Sequence, residues 1–140
     1  MNNLPIIFTV IVYMFFASGF YKLMSITETS VGLQKRMVNF GIEFINIDAY
    51  KLVIVLAAIW EIVAPIVLVY SGTNITKNKK WGIISSLSLV VYTVLATLIY
   101  HFPPVGAQYY PFISNLTTIG ALLLVSQIFY SSSHRAVSSI

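Results

Sequence analysis

The sequence predicts an all-α fold, an antiparallel bundle of four transmembrane helices with a short interfacial helix in the first loop. Apolar residues make up 58% of the chain and charged residues 9%, against about 45–50% and about 25% in soluble domains. The apolar residues fall into four blocks, each long enough to cross a bilayer as a helix. We therefore expect residues 1–140 to form a single integral membrane domain, and the composition excludes a soluble enzyme.

The first predicted spanning helix covers residues 4–23. A cleaved signal peptide is the alternative, because Ala17, Ser18 and Gly19 resemble a cleavage site, but no Lys or Arg precedes the apolar run and the run is too long. We therefore expect a retained helix. Ser18, Gly19 and Lys22 share one face of it, and small residues there allow a second helix to pack closely in lipid.

The first loop runs from Met24 to Ala49 and is the longest connection. Polar residues at 27–30 are typical of a helix start, so we expect a short interfacial helix that ends at Gly41. Asp48 is expected to cap the second spanning helix, because an aspartate at this position can accept hydrogen bonds from the first free N–H groups.

The second predicted spanning helix, residues 50–70, carries Glu61 near its centre. Glu61 lies about 16 Å beyond Tyr50 in a hydrocarbon layer about 30 Å thick. A lone carboxylate there costs about 2 to 4 kcal/mol, so it must be protonated, paired or beside water. Pro65 lacks the N–H that would bond the carbonyl of residue 61, so one helical turn carries a carboxyl group and a free backbone acceptor.

The remaining chain predicts two more spans. Residues 71–80 are short and polar, so we expect a loop there. The third helix is predicted over 81–100, with a small, weakly polar side suited to packing against its neighbours, and the prolines after Phe102 end it. The fourth is predicted over 112–130.

The charges on the two sides of the membrane give a small preference for one orientation. An even number of spans places both termini and the 71–80 loop on one side, with four basic residues at 77, 79, 80 and 135. The other side carries Lys35 and Arg36, with Lys22 and Lys51 at helix ends. Positive charge favours the cytoplasmic side, so we expect the termini in the cytoplasm.

One strongly polar side chain from each span is predicted to lie in the same half of the bundle: Lys22, Glu61, His101 and Asn115. The antiparallel topology places Lys22, His101 and Asn115 towards the same membrane face. A Lys22–Glu61 ion pair would offset the cost of burying the carboxylate. Position alone nevertheless favours Lys22 extending to the interface instead.

A purely structural interpretation of these residues stays open beside the functional one. Polar side chains can hold membrane helices together at about 1 kcal/mol each, His101 can lie among headgroups, and Asn115 can cap its helix. Intramembrane ionisable residues are functional sites by default, which keeps the functional interpretation equally open. No metal site is predicted, because His101 and His134 lie on opposite membrane faces and no carboxylate is spaced to help either.

The residues now assembled resemble the DoxX family of small four-helix membrane proteins over about residues 5–128. The family shows Gly-x-x-Lys near the end of helix one, a Glu in helix two with a closing Gly, His-Phe-Pro after helix three, and Asn-Leu with a following Gly in helix four. The matching residues are Gly19 and Lys22, Glu61 and Gly72, His101 to Pro103, and Asn115, Leu116 and Gly120. Pro65 departs from the pattern, in a stretch where the family often has glycines, and can kink the helix.

The resemblance implies two hypotheses, because the family includes both redox proteins and assembly factors. The first is a redox-associated subunit that binds a quinone-like or other amphipathic ligand in the polar half of the bundle. The second is a non-catalytic assembly factor, chaperone or structural subunit of a larger membrane complex, with partner subunits or a second copy of itself.

Several other classes of function are disfavoured. The chain has no cysteine, so a redox role requires a bound cofactor or a partner subunit, and no self-sufficient catalytic motif is present. A transporter or channel is disfavoured because the polar residues trace no continuous path. Nucleic-acid binding is disfavoured because the sequence has no basic patch with interleaved aromatic residues.

Overall fold

The computed structural model describes residues 3–42 and 46–137, with side chains as far as Ser132. Every regular element in these residues is helical, and four helices are long and apolar enough to cross a bilayer. The helices are α1 (Leu4–Met24), α2 (Ile26–Asn39), α3 (Ile47–Thr73), α4 (Ile75–His101) and α5 (Tyr109–Val137), with a 3-10 turn at Gly106–Gln108, and all but α2 are candidate spans. The chain is therefore a multi-pass integral membrane protein, and the all-α prediction is confirmed.

The connection between α3 and α4 corrects the predicted loop over 71–80. α3 continues to Thr73 and α4 begins at Ile75, so only Asn74 joins them. The side-chain oxygen of Asn74 accepts a hydrogen bond from the backbone N–H of Lys77 at 3.1 Å and caps α4. The lysines at 77, 79 and 80 thus lie in the first turns of a helix, where a polar composition is compatible with helical backbone.

The predicted short helix in the first loop is present as α2, which one residue, Ser25, separates from α1. At its C-terminus the N–H groups of Gly41 and Ile42 donate to the carbonyls of Val38 and Met37, at 2.9 Å and 3.0 Å. Gly41 has a φ of 79°, a conformation that a glycine adopts without strain. α2 thus ends at Asn39, two residues before the predicted end at Gly41, and Gly41 turns the chain away from the helix.

The start of α3 corrects the predicted cap. α3 begins at Ile47, so Asp48 already lies in its first turn. The side-chain oxygen of Asn46 accepts a hydrogen bond from the N–H of Asp48 at 3.3 Å. Asn46 therefore supplies the capping oxygen, and Asp48 pairs with Lys51 one turn later, at 2.9 Å.

The chain divides into two compact units. The larger comprises Met1–Tyr13 and Ala64–Ile140, and the smaller comprises Met14–Val63. α1 and α3 contribute a segment to each unit, whereas α4 and α5 belong to the larger and α2 to the smaller. This division into units does not test whether residues 1–140 fold as one domain, so the single domain stays a prediction.

In the larger unit, segments of all four long helices pack together. The rings of Phe8 in α1 and Phe129 in α5 are fully buried, with centroids 5.4 Å apart. A Cβ atom at Gly72 in α3 would lie 2.8 Å from the Phe8 ring, and one at Gly82 in α4 would overlap the ring of Phe129. The two glycines thus leave room for the two rings, and the predicted four-helix packing is confirmed within this unit.

Hydroxyl groups line the buried side of α4. The Ser85 hydroxyl donates to the carbonyl of Ala64 in α3, next to Pro65, which is fully buried in an unbroken helix. Thr93 and Thr97 donate to carbonyls one turn earlier in α4, at 2.7 Å and 2.6 Å. Since these hydroxyls have acceptors, α4 can bury a weakly polar face at little cost, and the predicted packing side is confirmed.

Candidate functional site

Three polar side chains of the smaller unit form a ring of hydrogen bonds, here called the Lys22–Glu61 cluster: Ser18 and Lys22 of α1 and Glu61 of α3. The Lys22 ammonium lies 2.6 Å from Oε2 of Glu61 and donates to the Ser18 oxygen at 3.0 Å. The Ser18 hydroxyl donates in turn to Oε1 of Glu61 at 3.0 Å. Each carboxylate oxygen therefore has a donor.

Both charged members of the cluster are withdrawn from the surface, to different extents. The Glu61 side chain is 4% exposed and the Lys22 side chain 16%. Glu61 is therefore matched by a cation inside the protein, as its depth in the span predicts. The alternative that Lys22 extends to the interface is wrong, because attraction to a buried carboxylate outweighs the solvation available at the helix end.

The local sequence explains why α1 and α3 meet here. Gly19 is buried, and a Cβ atom at this position would lie 2.9 Å from Cγ1 of Ile62 and 3.0 Å from the carbonyl oxygen of Ala58. Only glycine lets the two backbones approach this closely. Ser18 and Lys22 are four residues apart, so one face of α1 presents both to Glu61.

The cluster combines a hydrogen-bond donor with a proton acceptor in apolar surroundings. An ammonium group offers three N–H donors and an ionised carboxylate only acceptors. Lys22 is the more accessible partner, so a molecule that enters from the membrane would meet the ammonium first. This arrangement suits recognition of a carbonyl oxygen, with Glu61 placed to take up or return a proton.

His101 and Asn115 belong to the larger unit, and each has a partner there. Nδ1 of His101 lies 2.8 Å from the side-chain oxygen of Gln108, which can only accept, so Nδ1 donates in this contact. The side-chain NH₂ of Asn115 donates to the Thr97 hydroxyl at 2.9 Å. Thr97 and His101 are one turn apart on the same face of α4.

Of the four residues predicted to form one group, the structure pairs Lys22 with Glu61. His101 and Asn115 are paired with Gln108 and Thr97 instead, and the meeting of all four stays a prediction.

Sequence reasoning missed two of the hydrogen-bonding roles. Ser18 was predicted only to allow close helix packing, although its spacing of four residues from Lys22 signals that both can reach the same group. Thr97 as a partner of Asn115 has no such signal, because the contact joins two helices across 18 residues of chain.

In the part of the chain that the structure describes, no three His, Asp or Glu side chains are grouped as metal ligands would be. No family model, curated protein or solved structure matches this chain. The chemistry of the Lys22–Glu61 cluster is therefore the basis for a functional proposal.

Proposed function

We propose that the protein is a DoxX-like, redox-associated membrane subunit that binds a quinone-like amphipathic ligand beside the Lys22–Glu61 cluster. The observation that carries the proposal is the ion pair itself, a 2.6 Å contact between the Lys22 ammonium and the buried Glu61 carboxylate. Lys22 donates to a carbonyl oxygen of the ligand, and Glu61 exchanges a proton with it. Because the chain has no cysteine, a partner supplies or accepts the electrons.

Energetics support a functional role for the pair. Removing two charges from a polar medium costs several kcal/mol for each, so a buried ion pair contributes little net stability compared with apolar side chains of similar volume. Stability alone therefore gives no reason for a charged pair at this depth. Ionisable residues within spans mark ligand, ion or proton sites in membrane proteins, which favours binding at Lys22.

The test is equilibrium binding of a short-tailed benzoquinone to the purified protein in mild detergent. Trp60 precedes Glu61 in α3 and is the reporter, since quinones quench indole fluorescence, and Trp81→Phe removes the second tryptophan. We expect Lys22→Gln to weaken binding about tenfold, the loss of one hydrogen bond to a charged group. Lys22→Met/Glu61→Leu replaces the ion pair with an apolar contact. The quenching that remains should then be only that caused by quinone dissolved in the detergent.

The matched control is Lys51→Gln, which removes a second ion pair of the same unit, an exposed contact with Asp48. Its affinity should equal that of the parent protein. If the cluster variants and the control all bind the quinone with the parent affinity, the proposed ligand site is wrong.

A second candidate function, assembly with other membrane proteins, is favoured by the outward face of α5. Gly120 is exposed, with no atom within 4 Å of the position its Cβ would take, and Gln127 is exposed two turns further on. A small residue and an amide on a membrane-facing surface are features that helix–helix contacts in lipid use. Native mass measurement of Gly120→Ile and Gln127→Leu should show lost association, and a parent protein that is monomeric and free of partners would contradict this role.

A further inference from the structure

The start of α4 concentrates positive charge. Lys77, Lys79 and Lys80 lie in its first two turns, and Lys77 and Lys80 are exposed. The larger unit, to which they belong, contains no aspartate or glutamate anywhere in its sequence. Three cations therefore lie close together in a unit that supplies no carboxylate side chain to balance them.

Aromatic side chains fix the depth of these lysines. The Lys79 ammonium lies 5.0 Å from the ring centroid of Tyr130, near the end of the fourth span. Trp81 follows the lysines directly, Tyr70 lies near the end of α3, and all three aromatic side chains are exposed. Exposed Trp and Tyr at the ends of spans lie at the level of the lipid headgroups, so the lysines lie there too.

The helix itself adds to the positive potential. Backbone N–H groups at the start of a helix carry a partial positive charge, which makes lysines unfavourable in the first turn. The C-terminus of α3 directly precedes α4 and offsets part of this backbone charge, but the side-chain charge remains. An anion at this end of the larger unit would relieve the repulsion between the lysines.

We propose that the start of α4, through Lys77, Lys79 and Lys80, binds the phosphate groups of anionic phospholipids in the leaflet that faces the α3–α4 turn. The flanking aromatic side chains select a lipid headgroup over a soluble phosphate, because they hold the lysines at the depth where lipid phosphates lie. Lysines beside an anionic leaflet each contribute about fivefold to association with it. This surface does not depend on the proposed quinone site.

The test measures which lipid contacts Trp81, the residue next to Lys80. The protein carrying Trp60→Phe is reconstituted into vesicles that contain brominated phosphatidylglycerol or brominated phosphatidylcholine, and quenching of Trp81 gives their relative association constant. We expect phosphatidylglycerol to be favoured by about fivefold or more. Lys77→Gln/Lys79→Gln/Lys80→Gln should bring the ratio to about one, whereas the corresponding triple arginine variant should retain it.

Two controls keep the result specific. Lys35→Gln/Arg36→Gln neutralises the two charges of α2 in the smaller unit and should leave the ratio unchanged. Replacing chloride by inorganic phosphate at equal ionic strength should also leave it unchanged. Equal quenching by both lipids in the parent, an unchanged preference in the triple glutamine variant, or loss of the preference in inorganic phosphate would each overturn the proposal.

Discussion

The Lys22 ammonium and the Glu61 carboxylate lie 2.6 Å apart, and the Ser18 hydroxyl bonds to both. This contact offsets the cost of burying an acidic side chain near the middle of a spanning helix. The cation compensates the buried charge, and Gly19 gives α1 the close approach to α3 that brings the cation within reach. Ser18, Gly19 and Lys22 thus act together, within one turn of α1.

Removing one member of the pair should be more harmful than removing both. Lys22→Met leaves the Glu61 carboxyl buried without its cation and should lower the free energy of unfolding by about 3 kcal/mol. Lys22→Met/Glu61→Leu should recover most of this loss, because no charge is then buried. The measurement is loss of helical circular dichroism as sodium dodecyl sulfate is added to the protein in mild detergent.

Lys51→Met is the control for this comparison, since its exposed partner Asp48 remains solvated and the cost should stay below about 1 kcal/mol. Equal losses for Lys22→Met and for the double variant would mean that the ion pair does not balance the Glu61 charge.

Replacing glycine by alanine should have opposite effects on stability at Gly19, which is in close contact, and at Gly32, which is not. Gly19→Ala places a methyl group against Ile62 and the Ala58 carbonyl and should destabilise by about 1–3 kcal/mol. Gly32→Ala in α2 meets no atom within 4 Å and should stabilise by about 0.5–1 kcal/mol through helix propensity alone. Unfolding in the same detergent series measures both, and a stabilising Gly19→Ala would show that the helices do not approach closely at this point.

A paired substitution tests the packing of α4 against α5. Gly82→Ala directs its new methyl group into the buried ring of Phe129 and should cost about 1–3 kcal/mol. Phe129→Leu removes ring atoms from the same space, so Gly82→Ala should cost less in a Phe129→Leu background. Thermal unfolding of the four proteins gives the coupling, and strictly additive effects would contradict this contact.

The hydrogen bond between Asn115 and Thr97 should appear as a coupling energy. A double-mutant cycle of Asn115→Leu and Thr97→Val should give about 0.6 kcal/mol, with an upper range near 1.7 kcal/mol, as for other hydrogen bonds between membrane helices. Thr93→Val is the control in the cycle, because the Thr93 hydroxyl bonds within α4 itself. A coupling indistinguishable from zero would mean that the Asn115 amide is satisfied elsewhere.

The apolar blocks of the sequence predict the four spans well, because lipid requires long uninterrupted helices. They predict the helix ends less well. Lys77 and its neighbours belong to α4, since charged side chains at a membrane surface do not prevent helical backbone, and the capping oxygen of Asn74 determines where α4 begins. Asn46 takes the capping role expected of Asp48 for a similar local reason.

The candidate site was predictable in part. The depth of Glu61 in its span requires a partner, and Lys22 is the cation of the preceding span, but the choice between pairing and extension to the interface depends on how closely α1 approaches α3. The contact between His101 and Gln108 joins the end of a helix to a turn. The backbone of such a turn cannot be predicted from hydrophobic periodicity, so neither can this contact.

Photochemical labelling locates the proposed ligand site without assuming which residues bind. A benzoquinone that carries a photoreactive azide is bound to the purified protein, irradiated, and its attachment points are mapped by peptide mass spectrometry. We expect modification at residues 18–22 of α1 and 58–62 of α3, suppressed by excess unlabelled quinone and lost in Lys22→Met/Glu61→Leu. Labelling elsewhere in the protein, or labelling of these residues that the double variant leaves unchanged, would contradict a quinone site at Lys22 and Glu61.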